Sequence, residues 1–153
     1  MNAYKEVTEF FDKASVNYDI YEHDPVVTVD EADKQLGRPT DQGIKALLLK
    51  VEDGFVLCAV RGSNKLDYKK LRKILGIRKL RFATPEEVVE IMGVEIGACY
   101  PLGNIIGVPM LVDETLQENE YVVFSPGVHT KHIGMNWSEY KRAVNPRLVD
   151  LKQ

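Results

Sequence analysis

The run Lys45-Ala46-Leu47-Leu48-Leu49-Lys50-Val51, the linker Glu52-Asp53-Gly54 and the run Phe55-Val56-Leu57-Cys58-Ala59-Val60 constrain this chain more than any other segment. Asp-Gly between two apolar runs is a hairpin signal, because Gly supplies the positive φ that a tight turn needs. The two runs are read as a buried antiparallel pair, and the rest of the chain must supply layers to cover it. Tyr4, Val7, Phe10, Phe11 and Ala14 recur at helical spacing and predict an opening amphipathic helix that ends near Ser15. A strand over Tyr18-Asp19-Ile20-Tyr21 follows, and Thr28 with Glu31 has the capping-box pattern of a short helix closed by Gly37. Asp67 caps a helix through Leu71, Ile74 and Leu75 that stops at Gly76, and Thr84-Pro85-Glu86-Glu87 opens another that stops at Gly93. Beyond Gly97, Ile105-Ile106, Met110-Leu111-Val112 and Tyr121-Val122-Val123-Phe124 read as further strands of the same sheet. A last strand near Ile133 and a terminal helix after Trp137 complete the pattern. The fold class is α+β, with a curved, mixed, largely antiparallel sheet surrounded by helices. Strands and helices do not alternate regularly, which excludes a doubly wound parallel sheet.

Composition narrows the function classes. With 153 residues, 44% of them hydrophobic, the chain can build one core, and residues 1–153 are read as one domain without a linker or repeat. No run approaches a membrane span, and the opening MNAYKEVTEFF lacks the pattern of a signal peptide. Two cysteines without metal-ligand spacing fit a reducing compartment, so the expected location is cytoplasmic, with no membrane partner. A formal net charge of −3 argues against a general nucleic-acid coat and against DNA as a partner. Charge is nevertheless uneven: Arg61, Lys65, Lys69, Lys70, Arg72, Lys73, Arg78, Lys79 and Arg81 face only Asp67 in their segment, and no Lys or Arg occurs from Phe82 through Thr130. This basic segment is either a solvated helix face or a surface for phosphates.

Standard catalytic signatures are missing, including GxSxG, GxxxxGK[ST], HExxH and GxGxxG. His129 and His132 are three apart and would point to opposite faces of a strand, so no metal site is expected. Lys45 opens the most apolar strand. It is either a strand-end lysine with a packed stem or a fixed cation aimed at a ligand oxygen. Gly97-Ala98-Cys99-Tyr100-Pro101-Leu102-Gly103 is either a turn or a cradle of backbone amides for an oxyanion. Ser125-Pro126-Gly127-Val128-His129 is a loop that can present Gly127 and His129 to a ligand or leave His129 solvated. Cys58 reads as a core residue. Cys99 would need a neighbouring base to act as a nucleophile, and none adjoins it.

Four segments in order, Tyr21-Glu22-His23, Gly43-Ile44-Lys45-Ala46-Leu47-Leu48-Leu49-Lys50, Asn64-Lys65-Leu66-Asp67-Tyr68-Lys69-Lys70-Leu71 and Gly93-Val94-Glu95-Ile96-Gly97 running into Pro101-Leu102-Gly103, carry a resemblance. Over about Tyr18 to Val144 the chain resembles the YbaK-like family, the prolyl-tRNA synthetase-associated editing domains and their free-standing relatives. The resemblance implies a curved mixed sheet and hydrolysis of the ester between a wrong amino acid and transfer RNA, most simply Cys-tRNA(Pro) or Ala-tRNA(Pro). It implies no cofactor, a tRNA 3′ end as partner, and prolyl-tRNA synthetase as a possible second one. By the family pattern, Lys45 and Gly97 carry the chemistry. Tyr21, His23, Ala98, Cys99, Pro101, Gly103, Gly127 and His129 are expected to line the substrate, and, from the charge of the basic segment rather than the family pattern, Lys65, Lys69 and Lys70 are expected to meet RNA phosphates. Cys99-Tyr100 departs from the small or apolar residues usual inside that loop. The competing class is a non-catalytic module that binds aminoacyl-tRNA or an aminoacyl-nucleotide, or docks on a synthetase.

Overall fold

In a computed structural model, which describes residues 2–25 and 42–153, the expected hairpin is the spine. Strand β2 (Ile44–Val51) pairs with β3 (Gly54–Arg61) antiparallel along its whole length, from Ile44 opposite Arg61 to Val51 opposite Gly54. Its apolar run is continuous because both faces are covered. Ile44, Ala46 and Leu48 enter the main core, and Leu47, Leu49 and Val51 enter a second core with Val56, Cys58 and Val60.

The remaining elements follow from local signals. Asn2 caps α1 (Ala3–Lys13) by accepting from the Lys5 amide, and Val7 and Phe11 face the core. Asp67 caps α2 (Tyr68–Leu75), which Gly76 ends in the left-handed conformation. Thr84 and Glu87 form a reciprocal capping box on α3 (Pro85–Met92). Helix α4 (Trp137–Val144) begins at Trp137 itself and buries Trp137, Tyr140 and Val144. The proposed helix between Thr28 and Gly37 lies outside the described residues.

The strands form two sheets, which corrects the expectation of one. The larger has the order β4-β2-β3-β5-β8, with β4 at Leu80–Phe82, β5 at Met110–Asp113 and β8 at Arg147–Val149. The smaller has the order β1-β7-β6, with β1 at Asp19–Glu22, β6 at Tyr121–Phe124 and β7 at Lys131–Asn136. Four strand pairs are antiparallel, while β3–β5 and β5–β8 are parallel. Among the described residues, a parallel bridge between Gly43 and Val123 joins the sheets. Ile105-Ile106 is not a strand: the Ile106 and Val108 amides both turn back to the Gly103 carbonyl. Strands β4 and β8 were not legible in the sequence, since each has only three residues and takes its conformation from the sheet edge it joins.

The segment after β8 is stitched inward. The buried Asp113 carboxylate accepts from the amides of Leu151 at 2.8 Å, Lys152 at 3.2 Å and Thr115 at 3.2 Å, and from the Thr115 hydroxyl. Removing it leaves buried donors unpaired, at a cost of about 1 to 3 kcal/mol for each poorly compensated group. Asp113→Ala is therefore expected to lower unfolding free energy by about 2 to 4 kcal/mol in urea denaturation, without changing the secondary-structure content measured by circular dichroism.

Candidate active site

The bridge between Gly43 and Val123 sets the layout. Lys45 lies two residues beyond Gly43, Ser125 lies two beyond Val123, and the strands run parallel there. The Ser125 hydroxyl is 3.3 Å from the Ala98 carbonyl and 3.3 Å from that of Val128, and it accepts from the Gly127 amide at 3.3 Å. Ser125 thus ties the loop after β6 to the loop that contains Gly97. Two further contacts lie along the same line. His129 Nε2 is 3.4 Å from a Glu95 carboxylate oxygen, and a Cβ built on Gly127 would stand 2.8 Å from Ala3 Cβ and 3.2 Å from Val94. The structure therefore brings Gly97, Ala98, Gly127 and His129 into two adjoining loops. Strand β1, with Tyr21, reaches the second loop through the His23 amide, which donates to the Thr130 carbonyl at 3.0 Å.

The Gly97 loop is fixed from below. Gly97 itself is exposed with φ of 90°, a left-handed value that a side chain would strain. Beneath it, Ala98, Tyr100, Pro101 and Leu102 are buried. The Tyr100 hydroxyl donates to the Met92 carbonyl at 2.8 Å and the Tyr140 hydroxyl to the Pro101 carbonyl at 2.6 Å. Tyr100 therefore places its bulk in the core, and of the two unusual loop residues only Cys99 stays partly exposed. Gly103 belongs to the following turn, where its carbonyl accepts two amides.

Neither thiol is prepared for attack. Burial pushes the Cys99 thiol up to about 11 and the Cys58 thiol up to about 12, so both stay protonated at neutral pH. Lys45 is partly buried, and its Nζ donates to the Asn64 carbonyl at 2.7 Å. That carbonyl belongs to the loop leading into α2, so Lys65 follows directly and the basic helix starts beside Lys45. Lys65 and Lys69 are exposed, whereas Lys70 Nζ is held by both Asp150 carboxylate oxygens at 3.0 Å and by the Lys152 carbonyl at 2.8 Å.

Sequence reasoning missed a polar row on the small sheet. Tyr121 reaches over Gly134, where a Cβ would collide with its hydroxyl and ring. This lets the Tyr121 hydroxyl contact the Tyr21 hydroxyl and the Asp19 carboxylate, each at 2.7 Å. Beside it, His23 Nε2 and His132 Nδ1 are 2.6 Å apart, and His23 Nδ1 is 2.6 Å from the Asp24 carbonyl. A carbonyl only accepts, so His23 Nδ1 carries a proton. A neutral His23 then accepts from His132 at Nε2, and a charged His23 donates to it. His132 was weighed only as a metal ligand beside His129; its pairing with His23 spans strands far apart in sequence. Among the described residues no group of three or more His, Cys, Asp or Glu could hold a metal ion, and no helix is long and apolar enough to cross a membrane.

Residues 23–143 match the aminoacyl-tRNA editing domain model, and the chain belongs to that family. Its relatives include the proline–tRNA ligase of Thermosipho melanesiensis, 33% identical over 109 residues that make up 71% of this chain and 19% of the ligase. The proline–tRNA ligase of Thermotoga neapolitana is 40% identical over 79 residues, 52% of this chain and 14% of the ligase. The chain thus spans a fifth or less of the length of these curated relatives. Over its whole length it is also similar to a crystal structure provisionally described as a trans-editing enzyme for prolyl tRNA synthetase, with 28% identity, a TM-score of 0.88 and 98% of that chain covered.

Burial, and then the neighbouring His23, push His132 down to about 4, so the fold favours its neutral form. The unfolded chain takes up that proton near the usual value of about 6.5, so the contribution is complete above that pH and is lost as pH falls from about 6.5 toward 4. His132→Gln is expected to flatten the loss of stability over this range, which in the wild type amounts to about 3 kcal/mol. Chemical denaturation at a series of pH values measures it.

Proposed function

We propose that the protein edits transfer RNA by hydrolysing the ester of a mischarged aminoacyl-tRNA, with Cys-tRNA(Pro) or Ala-tRNA(Pro) as the substrate. The observation that carries this reading is the position of Lys45. It stands at the join of the two sheets, where Ser125 links the Gly97 and His129 loops, and it adjoins the start of a basic helix. Membership of the editing family and the full-length likeness to a protein described as a trans-editing enzyme support the same reading.

In the reaction, water attacks the ester carbonyl carbon, the bond to the ribose 3′ oxygen breaks, and that oxygen leaves with a proton as the 3′ hydroxyl. Lys45 and the backbone around Gly97 fix the 3′ end and stabilise the oxyanion of the tetrahedral intermediate, while the ribose 2′ hydroxyl orients the water. An aminoacyl ester is activated enough that no covalent nucleophile is needed, in keeping with two protonated thiols. Tyr21, His23, Ala98, Cys99, Pro101, Gly103, Gly127 and His129 shape the amino-acid side of the site, with Cys99 and His129 placed to decide between similar side chains. The protein acts in trans in the cytoplasm, on tRNA charged by prolyl-tRNA synthetase.

The test follows ester loss from alanyl-, cysteinyl- and prolyl-tRNA(Pro) with wild type and Lys45→Ala. Wild type is expected to destroy one mischarged ester and spare prolyl-tRNA. Lys45→Ala should remain folded and lose about 100-fold or more in rate, the usual scale for removing one oxyanion-stabilising group. Unchanged turnover in Lys45→Ala overturns the assignment, and protection of the ester by saturating wild type identifies a binding module instead.

Lys65 and Lys69, the exposed pair, are proposed to meet acceptor-stem phosphates, whereas the Lys70 ammonium is committed to Asp150 and the Lys152 carbonyl. Replacing Lys65 and Lys69 together by Gln should reduce the slope of log affinity against log salt by about 1 to 2, as expected for two lost phosphate contacts. Filter binding at several salt concentrations reads this.

A further inference from the structure

A catalytic lysine is useful only if its ammonium is held still, because its flexible four-carbon stem otherwise samples many rotamers. We propose that the 150–153 segment is a positioning strap for Lys45, acting through the backbone carbonyl of Asn64. The proposal rests on the catalytic reading of Lys45 given above.

Asn64 is held on two sides. On the side of β2, Ile44 pairs with Arg61, the Gly62 amide donates to the Gly43 carbonyl at 2.7 Å, and the Asn64 amide closes a turn on the Arg61 carbonyl at 2.9 Å. On the other side the 150–153 segment runs antiparallel to the residues that follow Asn64. The Gln153 amide donates to the Lys65 carbonyl at 3.0 Å, Leu66 bridges Lys152, and the Asp67 amide donates to the Leu151 carbonyl at 2.7 Å. The segment is itself anchored in three ways. Leu151 is fully buried in the second core with Leu66 and Leu71, Asp113 accepts from its amides, and Lys70 grips Asp150 and the Lys152 carbonyl.

The carbonyl of Asn64 therefore has little freedom, and one proton of the Lys45 ammonium is committed to it at 2.7 Å. That bond sets the direction of the remaining N–H groups, which is the preorganisation an oxyanion requires. Residues 150–153 touch no reacting atom in this scheme. They act as positioning residues, and their loss is felt in the chemical step rather than in substrate affinity.

The experiment replaces Gln153 by proline, which removes the amide donor to Lys65 at an exposed position, with Gln153→Ala as the control that keeps this amide while losing, as proline does, the long 3.4 Å contact from the Gln153 side chain to the Leu66 carbonyl. Two readouts are taken: kcat and KM on the mischarged tRNA, and the acetylation rate of Lys45 relative to Lys50 by mass spectrometry. Gln153→Pro is expected to lower kcat about fivefold to tenfold with KM unchanged and to speed relative labelling of Lys45 severalfold, while Gln153→Ala behaves as wild type. If Gln153→Pro fails to fold, Asp150→Asn, which weakens the Lys70 anchor, is expected to shift both readouts in the same direction to a smaller degree. A fall in kcat without faster labelling of Lys45, or no change in either readout, overturns the strap while leaving the editing reading intact. Full activity of Lys45→Ala in the same assay overturns the editing reading, and the strap's catalytic role with it.

Discussion

Every residue of β2 from Ile44 to Val51 has a partner in β3, and the placement of the site depends on that ladder. It divides the apolar side chains between two cores, each burial contributing roughly 1.5 to 3 kcal/mol for a large aliphatic residue. It also fixes where the run of apolar residues stops. Lys45 lies opposite Val60, next to the end of the ladder, so its stem packs like its neighbours while its ammonium reaches the loop that β3 feeds. A slip of one residue would exchange the faces and bury Lys45 with the main core instead. The position of one charge is thus a by-product of strand register.

Around that charge, the site loops are tied by side-chain hydrogen bonds to carbonyls, two of the loops themselves (Ala98 and Pro101) and two at helix ends (Met92 and Val144). Tyr100 and Tyr140 hold Met92 and Pro101, Ser125 bonds Ala98, and Asn104 donates to Val144 at 3.0 Å. Two of the four donors, Tyr100 and Tyr140, are fully buried in the core. Such ties leave the loops without regular secondary structure yet set in one conformation, which is what a stabilising cradle of backbone groups needs. The two thiols fit the same picture, since burial keeps both in the unreactive protonated form.

Much of this was legible in the sequence. The hairpin, the caps of α2 and α3, and the ends of those helices at Gly76 and Gly93 came from local chemistry, and the structure has them where the residues predict. The association of the Gly97 loop with the Gly127 and His129 loop followed from the family resemblance, because nothing local in either segment encodes the other. What stayed hidden depends on contacts between distant residues. Strands β4 and β8 exist only as additions to an edge, Ile105-Ile106 was drawn into a turn by the Gly103 carbonyl, and the split into two sheets is decided at Gly43 and Val123. The hydroxyl contact of Tyr121 with Tyr21 and the pairing of His132 with His23 stayed hidden for the same reason: each comes from a strand about a hundred residues away.

The single described bridge between the sheets gives the site walls that are held in unlike ways. The Gly97 and Gly127 loops are pinned by side-chain hydrogen bonds at several points, whereas the join beside Lys45 has, among the described residues, one backbone pairing at Gly43 and Val123 over the core that Ile44 and Leu48 share with Val122, Phe124 and Ile133. A wall can exclude an extra methylene only if moving it costs more than the roughly 1 to 3 kcal/mol at stake. One backbone pairing contributes roughly 1 kcal/mol net, so the stiffness of the join comes mainly from the core that the two sheets share. On the proposed editing reading, discrimination by size would therefore fall to the loops that side-chain hydrogen bonds pin into the core.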